Sequence, residues 1–238
     1  MNKKSTRALV FDVETSGLIP KNKEGVKLED MPHILQLSYV VFDTNGWKVV
    51  KSGDAYINVS KTVEISSKIT ELTGITRDMC DKGIPIQSAL REFGKEYMAC
   101  DIIVAHNINF DREMIKIEMV RNNEYLEPIY RSMFDREFEK QNNKFNYCTM
   151  YGSKNVCKIE ITNAKGETYY KCPKLVELYE HLFHMVPGNL HNSIVDTYVC
   201  LRCFVKLRFK FDLSLNGFPD IPFTKSTKPI LELSNSIV

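Results

Sequence analysis

Apolar residues along this chain fall into two rhythms. Near the N-terminus, ALVFDVETSG (8–17) begins as a continuous apolar run and is then broken by acids at alternate positions. Residues 7–13 predict a buried strand, and because side chains alternate across a strand, Asp12 and Glu14 project from one face. ILQLSYVVFD (34–43) is long and β-branched, DTNG (43–46) supplies turn chemistry, and WKVVKSGDAYINV (47–59) resumes a strand pattern. These segments predict an antiparallel meander of three strands. Then the period changes. SALREFGKEYM (88–98) and FDREMIKIEMVRN (110–122) have helical spacing, and DIIVAH (101–106) between them reads as a short buried strand. VCKIEI (156–161), NAKG (163–166) and ETYYK (167–171) spell a hairpin, making 150–172 an insertion before helices at KLVELYEHLF (174–183) and about 193–210.

Strands followed by alternating helix and strand imply an α/β fold, with a mixed sheet of meander plus parallel strands flanked by helices. Segment 17–33, charged and carrying two prolines, is a polar loop. Residues 211–238 lose periodicity and contain three prolines. They are expected to lie against the domain or to be partly disordered. The organisation is therefore one domain over 1–210, with its core at about 7–208, and a tail at 211–238.

Composition narrows the class without naming a chemistry. The chain has 238 residues, 43% hydrophobic and 26% charged, enough to bury a substantial core. No apolar run approaches the roughly 18 residues of a membrane helix. The basic start MNKKSTR is not followed by a signal-peptide apolar region, so a soluble intracellular protein is expected. A net charge of +2 neither demands nor excludes nucleic acid. The seven cysteines are odd in number and scattered, as expected of reduced core residues. Cys200 and Cys203 form a CxxC without a second pair, which leaves a zinc site as a weak alternative there.

Four acids and a histidine carry the chemistry. Besides Asp12 and Glu14, Asp111 begins a helix after IIVAHNINF, and Asp196 lies in the first turn of HNSIVDTYVCLRCF. Each has a bland reading. An acid in a first turn meets the helix dipole favourably, and Ser193-x-x-Asp196 looks like a capping box. Taken jointly they do not look bland. FDVETSGL (11–18), AHNINFD (105–111) and HNSIVD (191–196), with ELTGITRDMC (71–80) among them, resemble the motifs of the DEDDh 3′–5′ exonuclease superfamily. That superfamily includes polymerase proofreading subunits and RNase T. The length of 150–172 and the tail also resemble, weakly, the exonuclease-like proteins of large DNA viruses.

The resemblance implies an RNase H-like fold over about 7–208 and a chemistry that makes sense of the paired acids. Asp12, Glu14, Asp111 and Asp196 would be ligands of two Mg²⁺ (or Mn²⁺), since hard oxygen ligands suit such ions. Glu14 would also help position the water-bearing metal, and His191 would be the general base, an imidazole being suited to the task near neutrality. A five-residue interval cannot share one helical face, so His191 is expected on the loop after Pro187-Gly188 and Asp196 one turn inside the helix. Thr15, Leu18, Leu72 and Thr73 would cradle the terminal nucleotide. Asn107 and Phe110 would line the path of the next, with His106 at the border. Arg112, Lys116, Arg202 and Lys206 either extend a phosphate track or are ordinary helix charges. The implied partner is nucleic acid with a 3′ end, DNA before RNA because of ETSGL, and a polymerase or other replication partner is conceivable. The competing class is a non-catalytic nucleic-acid-binding module on the same fold.

Overall fold

The computed structural model describes residues 6–213 and 223–225. In chain order the elements are β1 (Arg7–Thr15), β2 (Ile34–Asp43), β3 (Lys48–Asn58), α1 (Ser67–Thr73), α2 (Arg77–Asp81), β4 (Ile84–Pro85), α3 (Ile86–Ala99), β5 (Ile102–Ala105), α4 (Ile108–Arg121), α5 (Arg136–Gln141), β6 (Phe145–Cys148), α6 (Thr149–Cys157), β7 (Glu160–Thr162), β8 (Thr168–Tyr170), α7 (Leu175–Phe183), β9 (Met185–Pro187), α8 (Ser193–Phe209) and β10 (Phe223–Lys225). Six strands form one mixed sheet in the order β4-β3-β2-β1-β5-β6. The meander β1–β2–β3 is antiparallel, whereas β5 and β6 add in parallel beside β1.

β1 is central because both of its faces are apolar, as a strand covered on two sides requires. Leu9, Phe11 and Val13 face a cluster that includes α3 and α4, where the Phe11 and Phe93 rings lie 5.2 Å apart. Ala8 and Val10 face the other way, toward Leu178, Val199, Cys203 and Phe204 of α7 and α8. Asp12 and Glu14 continue this second row. At the β2–β3 turn the Asp43 carboxylate accepts from the N–H groups of Asn45 and Gly46, 2.9 and 3.1 Å away. An Asp side chain that closes its own turn in this way fixes the register of the strands that follow.

Several expectations need correction. Residues 149–157 are the helix α6, so the expected hairpin is confined to β7 and β8. The sequence TMYGSKNVC has weak helical character, and tertiary packing imposes the helix: Thr149 and Ser153 are buried, and a Cβ on Gly152 would meet the Tyr147 hydroxyl at 2.8 Å. The sheet also carries the parallel strand β6, whose FNYC is too short to show a period. Helices α1, α2 and α5 have only five to seven residues each and no measurable stripe. The expected tail lies outside the described residues except for 211–213 and β10, which pairs antiparallel with β9. Among the described residues the cysteines are free thiols, and Cys200 and Cys203 are buried core groups of α8 that join no metal-competent cluster. No helix among the described residues is long and apolar enough to cross a membrane.

Candidate active site

The strand order reverses between β1 and β5, and crevices form at such switch points. β5 pairs with β1 only over Ala8–Val10. Beyond Val10 the two strands part, and the backbone of Asp12–Glu14 loses its neighbour. Asn107 takes a left-handed conformation (φ 68°, ψ 45°) that turns the chain sharply from β5 into α4. Asparagine tolerates this region better than most residues. The turn drops Asp111 into the gap, where its Oδ1 accepts from Val13 N–H at 3.2 Å. The start of α8 enters from the opposite face, and Ser193 Oγ donates to the Asp12 carbonyl at 2.6 Å.

Ser193 and Asp196 do not form the capping box of their bland reading. Asn192 is the N-cap residue, the Ser193 hydroxyl binds β1, and Asp196 Oδ2 instead accepts from the His191 backbone N–H at 3.0 Å. His191 itself has φ 66°, a strained left-handed conformation for a non-glycine residue. As expected, it sits on the loop before α8, exposed, with Asp196 in the first helical turn. The side chains of Glu14, His191 and Asp196 come together, with one ligand atom from each within 4.8 Å of the others.

The electrostatics identify what this cluster lacks. Desolvation, then repulsion from Asp12 and Asp196, pushes Glu14 up to about 9. Desolvation raises Asp12 to about 7, opposed by the Ser193 hydroxyl. Asp111 and Asp196 are also raised by desolvation and then by Asp12, while the N–H groups of Val13 and His191 oppose the rise. Among the described residues no lysine or arginine is a main influence on any of the four. The protein supplies its own contrast in Glu118 and Glu139, buried acids that each hold an arginine, Arg121 at 2.6 Å and Arg112 at 3.2 Å. Asp196 Oδ1 is buried with no hydrogen-bond partner, although buried carboxylate oxygens normally have one. An all-oxygen set that repels itself and leaves a buried lone pair unused fits a hard divalent cation.

The expected substrate residues are distributed less uniformly. Leu18 (85% exposed) and Leu72 (54%) project into solvent. The loop bearing Leu18 is held by Arg121, which donates to the carbonyls of Leu28 (2.9 Å) and Met31 (3.0 Å), and by reciprocal bonds between Ser16 and His33. The hydroxyls of Thr15 and Thr73 are engaged internally, with Gly17 O at 2.7 Å and Ile69 O at 2.9 Å. Phe110 packs at the edge of the core. Arg112 and Arg202 are committed to the fold through Glu139 and Asp212, which removes both from any phosphate track.

His106, just after β5, is engaged within the fold through both ring nitrogens. Nε2 lies 3.1 Å from the Pro173 carbonyl and must donate, so Nδ1 accepts from Thr149 Oγ1 at 2.9 Å. No ring nitrogen is left for a ligand, and the side chain instead clamps β5 to α6 and to the segment before α7. Burial lowers this imidazole from its usual 6.5 to about 4. A neutral, buried histidine adds stability that is present above its unfolded pKa and is lost as pH falls toward the folded value. His106 by itself should therefore contribute a fall of at most about 3 kcal/mol in stability between pH 6.5 and 4, against the opposite slope of Asp12 and Glu14, whose raised pKa values favour the folded state as pH falls. The check is His106→Gln: the melting temperature of the wild type, taken relative to this variant, should fall as pH drops from 6.5 to 4.

Sequence reasoning missed Gln36, Ser38 and Asp54, which back the site from β2 and β3. The signal was available: Gln36 and Ser38 interrupt an apolar strand at alternate positions, and they pair in register with Glu14 and Asp12.

Comparison with known proteins places the chain in a family. A family model described as exonuclease, of the RNase T type, matches residues 9–204. The PolC-type DNA polymerase III of Bacillus subtilis is 30% identical over 122 residues, covering 48% of this chain and 8% of the polymerase. The 3′-5′ exonuclease DinG of the same organism is 34% identical over 119 residues, covering 50% of this chain and 11% of DinG. The chain thus spans about a tenth of the length of these relatives. Among solved structures, E. coli Exonuclease I in complex with a dT13 oligonucleotide matches with a TM-score of 0.59 at 16% identity, over 86% of this chain and 42% of that one. A 3′-exonuclease that recognises the 3′ end of a histone mRNA stem-loop matches with a TM-score of 0.57 at 14% identity, over 95% and 73% of the two chains. At these identities the structural matches establish a common fold, and the family match extends through every acidic motif. The chain belongs to the RNase T-type exonuclease family, within the DEDDh 3′–5′ exonuclease superfamily.

Proposed function

We propose that this protein removes nucleoside 5′-monophosphates one at a time from the 3′ end of DNA. The observation that carries the reading is a set of four buried or half-buried carboxylates, raised by desolvation and by one another, on which no lysine or arginine among the described residues is a main influence, beside an exposed histidine. Two Mg²⁺ (or Mn²⁺) held by Asp12, Glu14, Asp111 and Asp196 would supply the positive charge that a phosphodiester displacement requires.

The chain's own residues supply the rest. His191, at the rim, accepts the proton of the attacking water, and its backbone bond to Asp196 keeps the imidazole over the acids. Glu14 shares that cluster and orients the water toward phosphorus. Leu18 and Leu72 offer apolar surface to the terminal base, with the backbone of Thr15 and Thr73 beside them and Asn107 and Phe110 along the preceding nucleotide. Contacts of this kind tolerate any base. DNA is favoured because the PolC and DinG relatives and the DNA-bound Exonuclease I share the domain. The PolC match also makes a polymerase the partner class to examine first. The nuclease unit spans 1–210, with 211–238 as an appendage.

The test is a 5′-labelled oligonucleotide incubated with Mg²⁺, with and without chelator. A ladder shortening from the 3′ end, abolished by chelation, is the expected result. Binding without shortening would assign the competing non-catalytic role. The histone mRNA exonuclease gives a specific reason to include RNA, and faster RNA than DNA digestion would reverse the substrate assignment.

A further inference from the structure

The two halves of the site come from remote parts of the chain, β1 on one side and the 191–196 turn on the other, and beside the Ser193–Asp12 bond a buried amide of the neighbouring strand β2 holds the turn. Gln36 is fully buried in β2, directly across from Glu14. Its Oε1 accepts from Ser193 N–H at 3.2 Å, and its Nε2 donates to Asp54 Oδ1 at 2.8 Å. The same Asp54 oxygen accepts from Ser38 Oγ at 2.7 Å, and Ser38 is the register partner of Asp12. Ser193 is therefore held twice, by Gln36 through its N–H and by the Asp12 carbonyl through its hydroxyl. His191 lies two residues before Ser193, and Asp196 three residues after it.

Packing alone does not explain Gln36. A buried amide needs partners at both ends and is more costly to desolvate than a leucine or methionine of similar size. Here the sheet satisfies a helix N–H that has no intrahelical acceptor, and Asp54 fixes which end of the amide faces it. We infer that Gln36, oriented by Asp54, is a positioning residue that sets the distance between the β1 carboxylates and the His191–Asp196 turn. The inference rests on the exonuclease reading of that site.

Gln36→Met keeps length and removes both hydrogen bonds. The expected result is a fall in kcat of about 10–100-fold, the range seen when groups supporting metal ligands are lost, with KM within about twofold. Gln36→Glu should fail similarly, because its carboxylate faces that of Asp54. The double variant Gln36→Glu/Asp54→Asn reverses the donor and acceptor between the two strands while leaving an acceptor for Ser193 N–H, so most of kcat should return. Amide hydrogen exchange read on the same proteins should be faster across 191–196 in Gln36→Met and restored in the double variant. Wild-type kcat in Gln36→Met would overturn the inference, as would parallel loss of kcat, KM and thermal stability without rescue. A wild-type protein that leaves 3′ ends intact would instead overturn the nuclease reading, and the exchange of Ser193 would still decide whether Gln36 fixes the turn.

Discussion

Asp12→Asn should lower turnover by about 10³-fold or more while the metal-free protein melts at the same temperature or higher. Asp12 is the charge that raises Glu14, Asp111 and Asp196 alike, so it is the hub of the repulsion. Replacing it with an isosteric amide removes a proposed cation ligand and relieves three like-charge contacts. Charge stabilisation at the phosphate is worth several kcal/mol, and each 1.4 kcal/mol is about tenfold in rate. Relief of about 1 kcal/mol of repulsion would raise the melting temperature of a chain this size by roughly 2–4 °C. The two readouts move in opposite directions, which a misfolded variant cannot imitate. Wild-type protein should also gain thermal stability on adding Mg²⁺ or Mn²⁺, by the usual linkage of ligand to the folded state, and the variant should gain far less. Unaltered cleavage in Asp12→Asn would remove the cation assignment.

His191→Ala should reduce kcat by about 10²–10⁴-fold, the usual contribution of a positioned proton acceptor, with KM little changed. Its side chain is exposed and its backbone bond to Asp196 survives truncation, so the turn and the carboxylates keep their places. Residual activity should climb with pH as hydroxide replaces the missing base. A variant with wild-type turnover would exclude His191 from the chemistry. A variant that also lost cation-induced stabilisation would make the imidazole a ligand, an alternative that its approach to Glu14 and Asp196 makes worth testing.

Much of this was legible because the decisive signals are local. Alternation in FDVET places both acids on one face, and the His191–Asp196 interval forces a loop followed by a first turn. Other features depend on neighbours that the chain does not announce. Nothing around His106 foretells that Thr149 and Pro173 will occupy both ring nitrogens, from 43 and 67 residues away. α6 is helical through burial of Thr149 and Ser153 rather than through propensity. α8 is buried nearly all round at the sheet, so its CxxC reflects core packing. The Ser193 hydroxyl had a plausible local use as a cap, and a partner across the molecule took it instead.

The pairing of β10 with β9 has a temporal consequence. Phe223–Lys225 runs along Met185–Pro187, the stretch that leads into the His191 turn. A ribosome makes the two β1 acids first, and Asp196 with this bracing segment much later. A half-translated polypeptide holds only part of the cluster, so on the proposed reading cleavage would have to wait until translation has passed Asp196.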